Sequence, residues 1–368
     1  MQQIERRKLG STGIEVAALG FGAIKLPKVG EAEAARALNR ALDLGINFVD
    51  TARGYGDSER KIGSALKHRR AEYILATKTP ARDAAGLRAD LETSLRELQT
   101  DHIDLYQFHS VSDAQSWEQV MAPGGALEEA RKAQQQGLVR YVGITMHRAL
   151  HEMEQAIRSR EFPTIMVSYN PLDAEGVEPR ILPLAREHGM GVIVMKPLGG
   201  GSLSLPREVK APDQRDPIVA GSLRFILSNP AVTVVIPGIE SAAQVEENVA
   251  TVQESARLSD EGRRELFAAL ATVRREHRYG QTCLRCEYCL PCPQGVEIPT
   301  VFRAVHMVRQ YPDHLKHLGR ELYESLEIKA SACQSCEECV AKCPAGLPIP
   351  ERLKDAVAEL EQHPRPEA

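Results

Sequence analysis

The sequence predicts an α/β chain in two parts: a (β/α)8 TIM barrel followed by a small, mainly helical domain built around cysteine. Three observations predict this. Eight short apolar runs rich in β-branched residues alternate with eight helical segments over roughly 250 residues, the length of one barrel. The G-x-G-x-x-G that usually follows the first strand of a doubly wound sheet, the competing fold, is absent. All eight cysteines of the 368-residue chain lie in its last quarter, in two tight clusters.

The predicted strands are Val16–Gly22, Ile46–Asp50, Tyr73–Lys78, Ile103–His109, Val139–Thr145, Ile165–Ser168, Gly191–Lys196 and Val232–Ile236. Between and after them, apolar residues recur at three- and four-residue spacing, as in Ala37, Leu38, Ala41 and Leu42. This predicts helices over Ala32–Leu44, Ser58–Lys67, Ala84–Leu98, Ala126–Gln136, Leu150–Ser159, Pro179–His188, Pro217–Ser228 and Ala242–Gln253. Gly45, Gly137 and Gly189 fall just past helix ends, where a left-handed residue is favoured. Leu258–Arg275 predicts one more helix, and the polar stretch Glu276–Gln281 a junction. The expected domains are therefore 1–275 and 276–368. Helical spacing returns in Ile298–Leu326 and Glu351–Leu360, and His363–Ala368 is expected to be a frayed tail. No internal repeat is visible beyond the strand–helix alternation.

A charged content of 26% and a net charge of -4 give no electrostatic case for nucleic acid or an anionic membrane. No apolar stretch predicts a transmembrane span, and no apolar h-region follows the basic residues at the N-terminus. Clustered thiols without a secretory signal imply metal ligands in a reducing compartment, so a cytoplasmic location is expected.

The cysteine runs are Cys283, Cys286, Cys289, Cys292 and Cys333, Cys336, Cys339, Cys343, each followed by Pro. Written out, they are C-x2-C-x2-C-x2-C-P and C-x2-C-x2-C-x3-C-P. Eight thiols in two Pro-terminated sets of four are the ligand count for two 4Fe-4S clusters. Structural zinc also takes four cysteines, but it separates two C-x2-C pairs by a longer spacer. By the rule of bacterial two-cluster ferredoxins, the fourth cysteine of each run serves the other cluster. Cys283, Cys286, Cys289 and Cys343 would then hold one, and Cys333, Cys336, Cys339 and Cys292 the other. The helical spacer makes the module resemble α-helical ferredoxin domains.

Chemistry in a barrel gathers at the C-terminal ends of its strands. Here three predicted strand ends carry Asp50, Lys78 and His109, and Tyr55 follows Asp50 in a Gly-rich loop. Each alone has a plainer reading: a surface ion pair, a packing ring, a core histidine. Together they form a proton-delivery set. A phenol has a free pKa of about 10, and a nearby ammonium favours its phenolate. Asp50 would keep Lys78 charged, Tyr55 would give a proton to a carbonyl oxygen, and His109 would orient that oxygen.

The stretch FVDTARGYGDSERKIGSAL, then ATK, then IDLYQFH, resembles the aldo-keto reductases. GALEEARKAQQQGLVRYVGIT, VSYNPLD, VIVMKPLGGG and IPGIESAAQVEENV extend the likeness over about residues 6–255. The resemblance implies a (β/α)8 fold, NADPH or NADH as cofactor, a small carbonyl substrate, and Asp50, Tyr55, Lys78 and His109 as the catalytic set. CEYCLPCPQGVEIP is similar to the subfamily that carries a C-terminal two-cluster domain. The cofactor pocket departs from the better-known members. Thr145-Met146 stands where they carry Ser-Asn, Met166 where they carry Gln, and Met195 where a Tyr often stacks on the nicotinamide. Gly238 and Gln244 stand where Lys or Arg often holds a 2'-phosphate, which leans toward NADH. Glu247-Asn248 matches the adenine contacts, and Gly199, Gly200 and Gly201 suit a wrap around a pyrophosphate.

Hydride donors move electron pairs, and iron–sulfur clusters move single electrons. No flavin motif converts between them. Three readings follow: a carbonyl reductase whose clusters exchange electrons with a redox protein partner, a non-catalytic electron-transfer or redox-sensing protein on this scaffold, and an oxidoreductase whose clusters feed the active site through another bound cofactor.

Overall fold

The computed structural model describes residues 3–203, 216–255, 257–270, 283–311 and 313–362. The chain divides into two compact units, Met1–Ala268 and Ala269–Ala368.

The first unit is a parallel barrel. Its strands are β3 (Phe21–Gly22), β4 (Phe48–Asp50), β5 (Ile74–Thr79), β6 (Ile103–Phe108), β7 (Val139–Met146), β8 (Thr164–Ser168), β9 (Gly191–Met195) and β10 (Val232–Val235), each paired with the next in sequence. The sheet curls until its edges meet. Gly20 and Gly22 donate to the carbonyls of Val235 and Pro237, and Val235 donates back to Ala18. Glycine is needed in this seam, because a Cβ on Gly22 would lie 2.6 Å from the Pro237 carbonyl oxygen.

The predicted strand Val16–Gly22 is two pieces with different jobs. Its first part is β2 (Glu15–Ala17), which pairs antiparallel with β1 (Arg6–Lys8), and only its end enters the barrel as β3. Leu9, Ile14 and Val16 of this hairpin join Phe48, Ala76, Leu105, Met166, Ile193, Met195, Val234 and Ile236 in one buried interior cluster. The hairpin thus plugs the N-terminal end of the barrel and leaves the other end for chemistry.

Strand alternation sorts the interior into layers. On β4, β5 and β6 the inward positions are Phe48 then Asp50, Ala76 then Lys78, and Leu105 then Gln107. The lower layer is apolar and the upper layer is polar. Gly143 on β7 makes room for the turn between layers: a Cβ there would meet Leu105 at 3.1 Å and Gln107 at 3.2 Å.

The outer helices are α1 (Glu31–Asp43), α2 (Ser58–Leu66), α3 (Ala84–Leu98), α4 (Ala114–Met121), α5 (Ala126–Gln135), α6 (Leu150–Ser159), α7 (Val177–Glu187), α8 (Pro217–Ser228), α9 (Ala242–Glu254) and α10 (Asp260–Ala269). Helix α4 was not expected. It is a short insertion opened by an Asp113–Ser116 capping box, too brief to show periodicity. The end of the predicted Leu258–Arg275 helix, the Glu276–Gln281 junction and the His363–Ala368 tail lie outside the described residues.

The second unit is helical. The predicted Ile298–Leu326 segment is two helices, Ile298–Gln310 and Lys316–Glu324, packed closely at Gly319. The last helix is Ile349–Leu360. The unit also carries a repeat that the sequence hid. The amides of Arg285 and Ser335 each donate to the sulfur two residues earlier, Cys283 and Cys333, at 3.4 Å. Arg285, Glu287, Ser335 and Glu337 all have positive φ. Gly295 and Gly346 then donate to the carbonyls of Cys292 and Cys343, and an Ile-Pro pair opens a helix in both halves. The extra residue before Cys343 puts the halves out of register, which masks the repeat in the sequence.

Gly10 has φ of 55° and its Cβ position lies 2.3 Å from the Gly191 amide nitrogen, backbone that cannot step aside. Gly10→Ala should therefore destabilise the barrel by about 2 kcal/mol or more, measured by urea unfolding. Gly30→Ala, with open space at its Cβ, is the control.

Candidate active site and iron–sulfur centre

Asp50, Lys78 and His109 meet at the mouth of the barrel, and Tyr55 lies over them. Lys78 Nζ donates to Asp50 Oδ2 at 2.6 Å and to the Thr51 carbonyl at 2.7 Å. Both side chains are almost wholly buried, 1% exposed for Lys78 and 3% for Asp50. Burial pushes the Asp50 carboxyl up and the Lys78 ammonium down, and each opposes that push on the other. Gln107 Nε2 donates to the second oxygen, Asp50 Oδ1, at 3.2 Å. Gln107 was missed in the sequence, because one Gln inside an apolar run looks like an ordinary strand residue.

The loop carrying Tyr55 continues the β4–β5 ladder. Thr51 N donates to Ala76 O, and Arg53 N donates to the carbonyl of Lys78 itself at 2.9 Å. Behind the sheet, Arg53 pairs with the buried Glu59 and with Glu97, and Thr77 also donates to Glu59. These contacts seat the loop. The half-buried Tyr55 ring then has Lys78 Nζ 4.9 Å from its centroid and the His109 ring edge-on at 5.6 Å.

His109 is buried, and Arg82 donates to its backbone carbonyl at 2.5 Å and to that of Ser110 at 3.2 Å. Burial first, then the charges of Lys78, Arg82 and Lys196, hold its pKa well below 6.5, so the ring is neutral. A second buried histidine, His147, follows β7 and is also held well below 6.5, by burial and then by Lys196. Beside it in sequence, Arg148 pairs with buried Asp173 at 2.7 Å. The polar pair His147-Arg148 after a strand end was the available signal for this part of the mouth.

The expected dinucleotide residues divide into two groups. Gly199, Gly200 and Gly201 form a turn with three successive positive φ angles, 54°, 67° and 92°. Gln244 Oε1 accepts from Glu240 N, Glu247 Oε1 accepts from Asp216 N at 2.9 Å, and Asn248 is buried on α9. Glu33 of α1 already accepts from Ala242 N in the first turn of α9. At the other end, Thr145 Oγ1 accepts from Ser110 N at 2.8 Å, and Met166 and Met195 belong to the apolar interior. None of these three offers an amide.

In the second unit, Cys283, Cys286, Cys289 and Cys343 line one cavity with Ile298, Phe302 and Leu347. Burial pushes the Cys283 thiol up to about 11 and the Cys289 thiol up to about 12, and in both the neighbouring thiols Cys286 and Cys343 add to the rise. Cys339 is raised by burial and then by Cys333, Cys336 and Cys292. One cavity thus brings together three thiols of the first run and the last of the second. Uncharged thiols in this grouping want a cation that would let them ionise together.

Residues 18–218 match the aldo/keto reductase family, and residues 282–348 match the 4Fe-4S dicluster domain. The chain belongs to the aldo/keto reductase family. It is 31% identical over 291 residues to L-galactose dehydrogenase of Arabidopsis thaliana, covering 69% of this chain and 90% of that one. It is 28% identical to the uncharacterized oxidoreductase YqkF of Bacillus subtilis (strain 168), covering 67% and 90%. Among solved structures it is similar to the holo form of aldo-keto reductase AKR11C1 from Bacillus halodurans, with a TM-score of 0.60 and 31% identity over 72% of this chain and 96% of that one. The fold is thus the family's (β/α)8 barrel, joined in one chain to a 4Fe-4S domain, and no helix among the described residues is long and apolar enough to cross a membrane.

In this aldo/keto reductase the two mouth histidines give a pH test. Their pKa values are lowered on folding, so the unfolded chain takes up these protons first as pH falls. Their contribution to stability is present above about pH 6.5 and is lost below it. In NMR titrations the ring signals of His109 and His147 should stay flat from pH 8 down to about 6. A midpoint near 6.5 for either would contradict the burial.

Proposed function

We propose that this protein reduces a small aldehyde or ketone to the alcohol with NADPH or NADH, Tyr55 acting as general acid. The observation that carries the reading is the buried Asp50–Lys78 pair with its ammonium beside the Tyr55 ring. When bound, the dinucleotide supplies the hydride to the carbonyl carbon. Tyr55 gives its hydroxyl proton to the carbonyl oxygen, which completes the alcohol. The Lys78 charge stabilises the phenolate left behind, and Asp50 keeps that charge in place. Neutral His109 donates a ring N–H to the same oxygen and fixes its direction.

Gly199–Gly201 carry no side chains, so a pyrophosphate can come close to the backbone of this turn, in which Gly199 N and Gly201 N donate to the carbonyls of Lys196 and Leu198. Glu33 at the start of α9 places a carboxylate where a 2'-phosphate would be drawn to the helix end, and this favours NADH. The eight cysteines would hold two 4Fe-4S clusters in the crossed grouping, and the clusters would supply single-electron exchange with a redox protein in the cytoplasm.

A second reading has one observation behind it. Met166 and Met195 pack into the apolar interior where an amide anchor and a stacking ring are expected, which leaves the nicotinamide weakly oriented. A redox-sensing or electron-transfer protein on the same scaffold would tolerate that. Anaerobic protein that oxidises neither NADH nor NADPH with any of a broad carbonyl panel would favour it.

Tyr55→Phe should lower carbonyl reduction by about two to four orders of magnitude while leaving cluster absorbance unchanged. Anaerobic protein should carry about eight iron and eight sulfide per chain, and zinc without sulfide would overturn the cluster assignment. Glu33→Gln should strengthen NADPH binding relative to NADH by about two- to five-fold, read as dissociation constants by fluorescence.

A further inference from the structure

The repeat in the 4Fe-4S domain allows its two centres to be compared position by position. The backbone is the same in both. The amides of Arg285 and Ser335 reach the first sulfur of each run at the same 3.4 Å. Glu287 and Glu337 also correspond. The difference lies between the first two cysteines of each run: Arg285 in one, Ser335 in the other. One position after the shared glutamate, Tyr288 faces Glu338.

Burial differs as well. Leu284 and Cys289 are buried, and Arg285 is half-buried. In the other run Ser335, Cys336, Glu337 and Glu338 are exposed. Arg352, on the helix Ile349–Leu360, acts electrostatically on Cys283 and Cys343, the two ends of the first grouping. The first centre therefore has Arg285, Arg352 and Glu287 in a more buried setting, and the second has Glu337 and Glu338, the latter 3.9 Å from Lys342, in an exposed one.

Reduction adds one negative charge to a cluster. A guanidinium cannot lose its proton in a protein, so its charge is always present to favour that step. Exposure of the second centre favours its reduction and works in the opposite sense. A fixed charge in the cluster's own loop acts on the added electron through a medium of lower dielectric than water, which strengthens the attraction. We infer that Arg285 makes the cluster at Cys283, Cys286, Cys289 and Cys343 the easier of the two to reduce, so that electrons entering the domain collect there. The exposed centre around Cys336 is then the point of exchange with an external one-electron donor or acceptor. This rests on the cysteine ligation proposed above.

The test uses anaerobic full-length protein whose iron and sulfide content has been confirmed. A dye-mediated dithionite titration followed by EPR should give two separate midpoints. Arg285→Ser should lower the higher one and leave the other in place, and a tenfold change in the reduction equilibrium reads as 59 mV. Arg285→Lys should keep most of the wild-type value. Ser335→Arg, at an exposed position, should raise the lower midpoint, and it decides the matter alone if Arg285→Ser loses iron. The inference fails if iron-replete Arg285→Ser lowers the lower midpoint or leaves the higher one in place, or, where Arg285→Ser loses iron, if Ser335→Arg does not raise the lower midpoint. Wild-type protein without iron and sulfide would instead defeat the ligation assignment, a separate result.

Discussion

The ion pair between Lys78 and Asp50 is the constraint around which the barrel mouth is organised. Two charges 2.6 Å apart and almost out of water are not a source of stability in themselves, because desolvation offsets most of their attraction. Removing one partner leaves the other buried and unpaired, at a cost of about 3–5 kcal/mol. A structure that keeps such a pair must therefore satisfy it fully. Thr51 supplies a carbonyl to the ammonium and Gln107 an amide to the carboxylate. Both come from strands that flank β5 or its neighbour, so the pair fixes β4, β5 and β6 in one register. On the next strand a Cβ at Gly143 would lie 2.5 Å from Thr164 Oγ1 and 3.2 Å from Gln107 Cγ, so glycine there leaves room for both.

The same pair governs the loop above it. Arg53 N bonds the carbonyl of Lys78, so the backbone of the Tyr55 loop is tied to the residue whose side chain its ring must meet. On the outer face of β5, Thr77 reaches Glu59, which reaches Arg53. One strand thus serves both sides. Its inward residue makes the ion pair, and its outward neighbour anchors the loop that covers the pair. This explains why the four residues of the set can sit on separate elements and still meet. The alternation of a single strand couples them.

Much of this was legible in the sequence and some was not, for definite reasons. Asp50, Lys78 and His109 stood out because polar residues ending apolar runs violate the strand pattern. Gln107 sits inside a run and violates nothing, yet it is one of the residues that completes the pair. Arg53 and Glu59 are six residues apart in a polar stretch, where a buried contact leaves no trace in periodicity. The hairpin Arg6–Ala17 has strands of three residues, below the length at which alternation can be counted. The repeat in the iron–sulfur domain escaped because it is a repeat of backbone turns, not of side chains. Positive φ at Arg285, Glu287, Ser335 and Glu337 is invisible in residues that are not glycine.

The departures from the family are concentrated in one place. The proton-delivery residues are intact and tightly held. At the positions proposed to meet the nicotinamide stand Thr145, whose hydroxyl accepts from Ser110 N, and Met166, which fills the interior. A proton relay is indifferent to the source of the electrons. It needs only an oxygen within reach and a cation to steady the phenolate. A hydride donor, in contrast, must be oriented at its amide. In the carbonyl-reductase reading proposed above, the proton side of the reaction is therefore held more firmly than the hydride side.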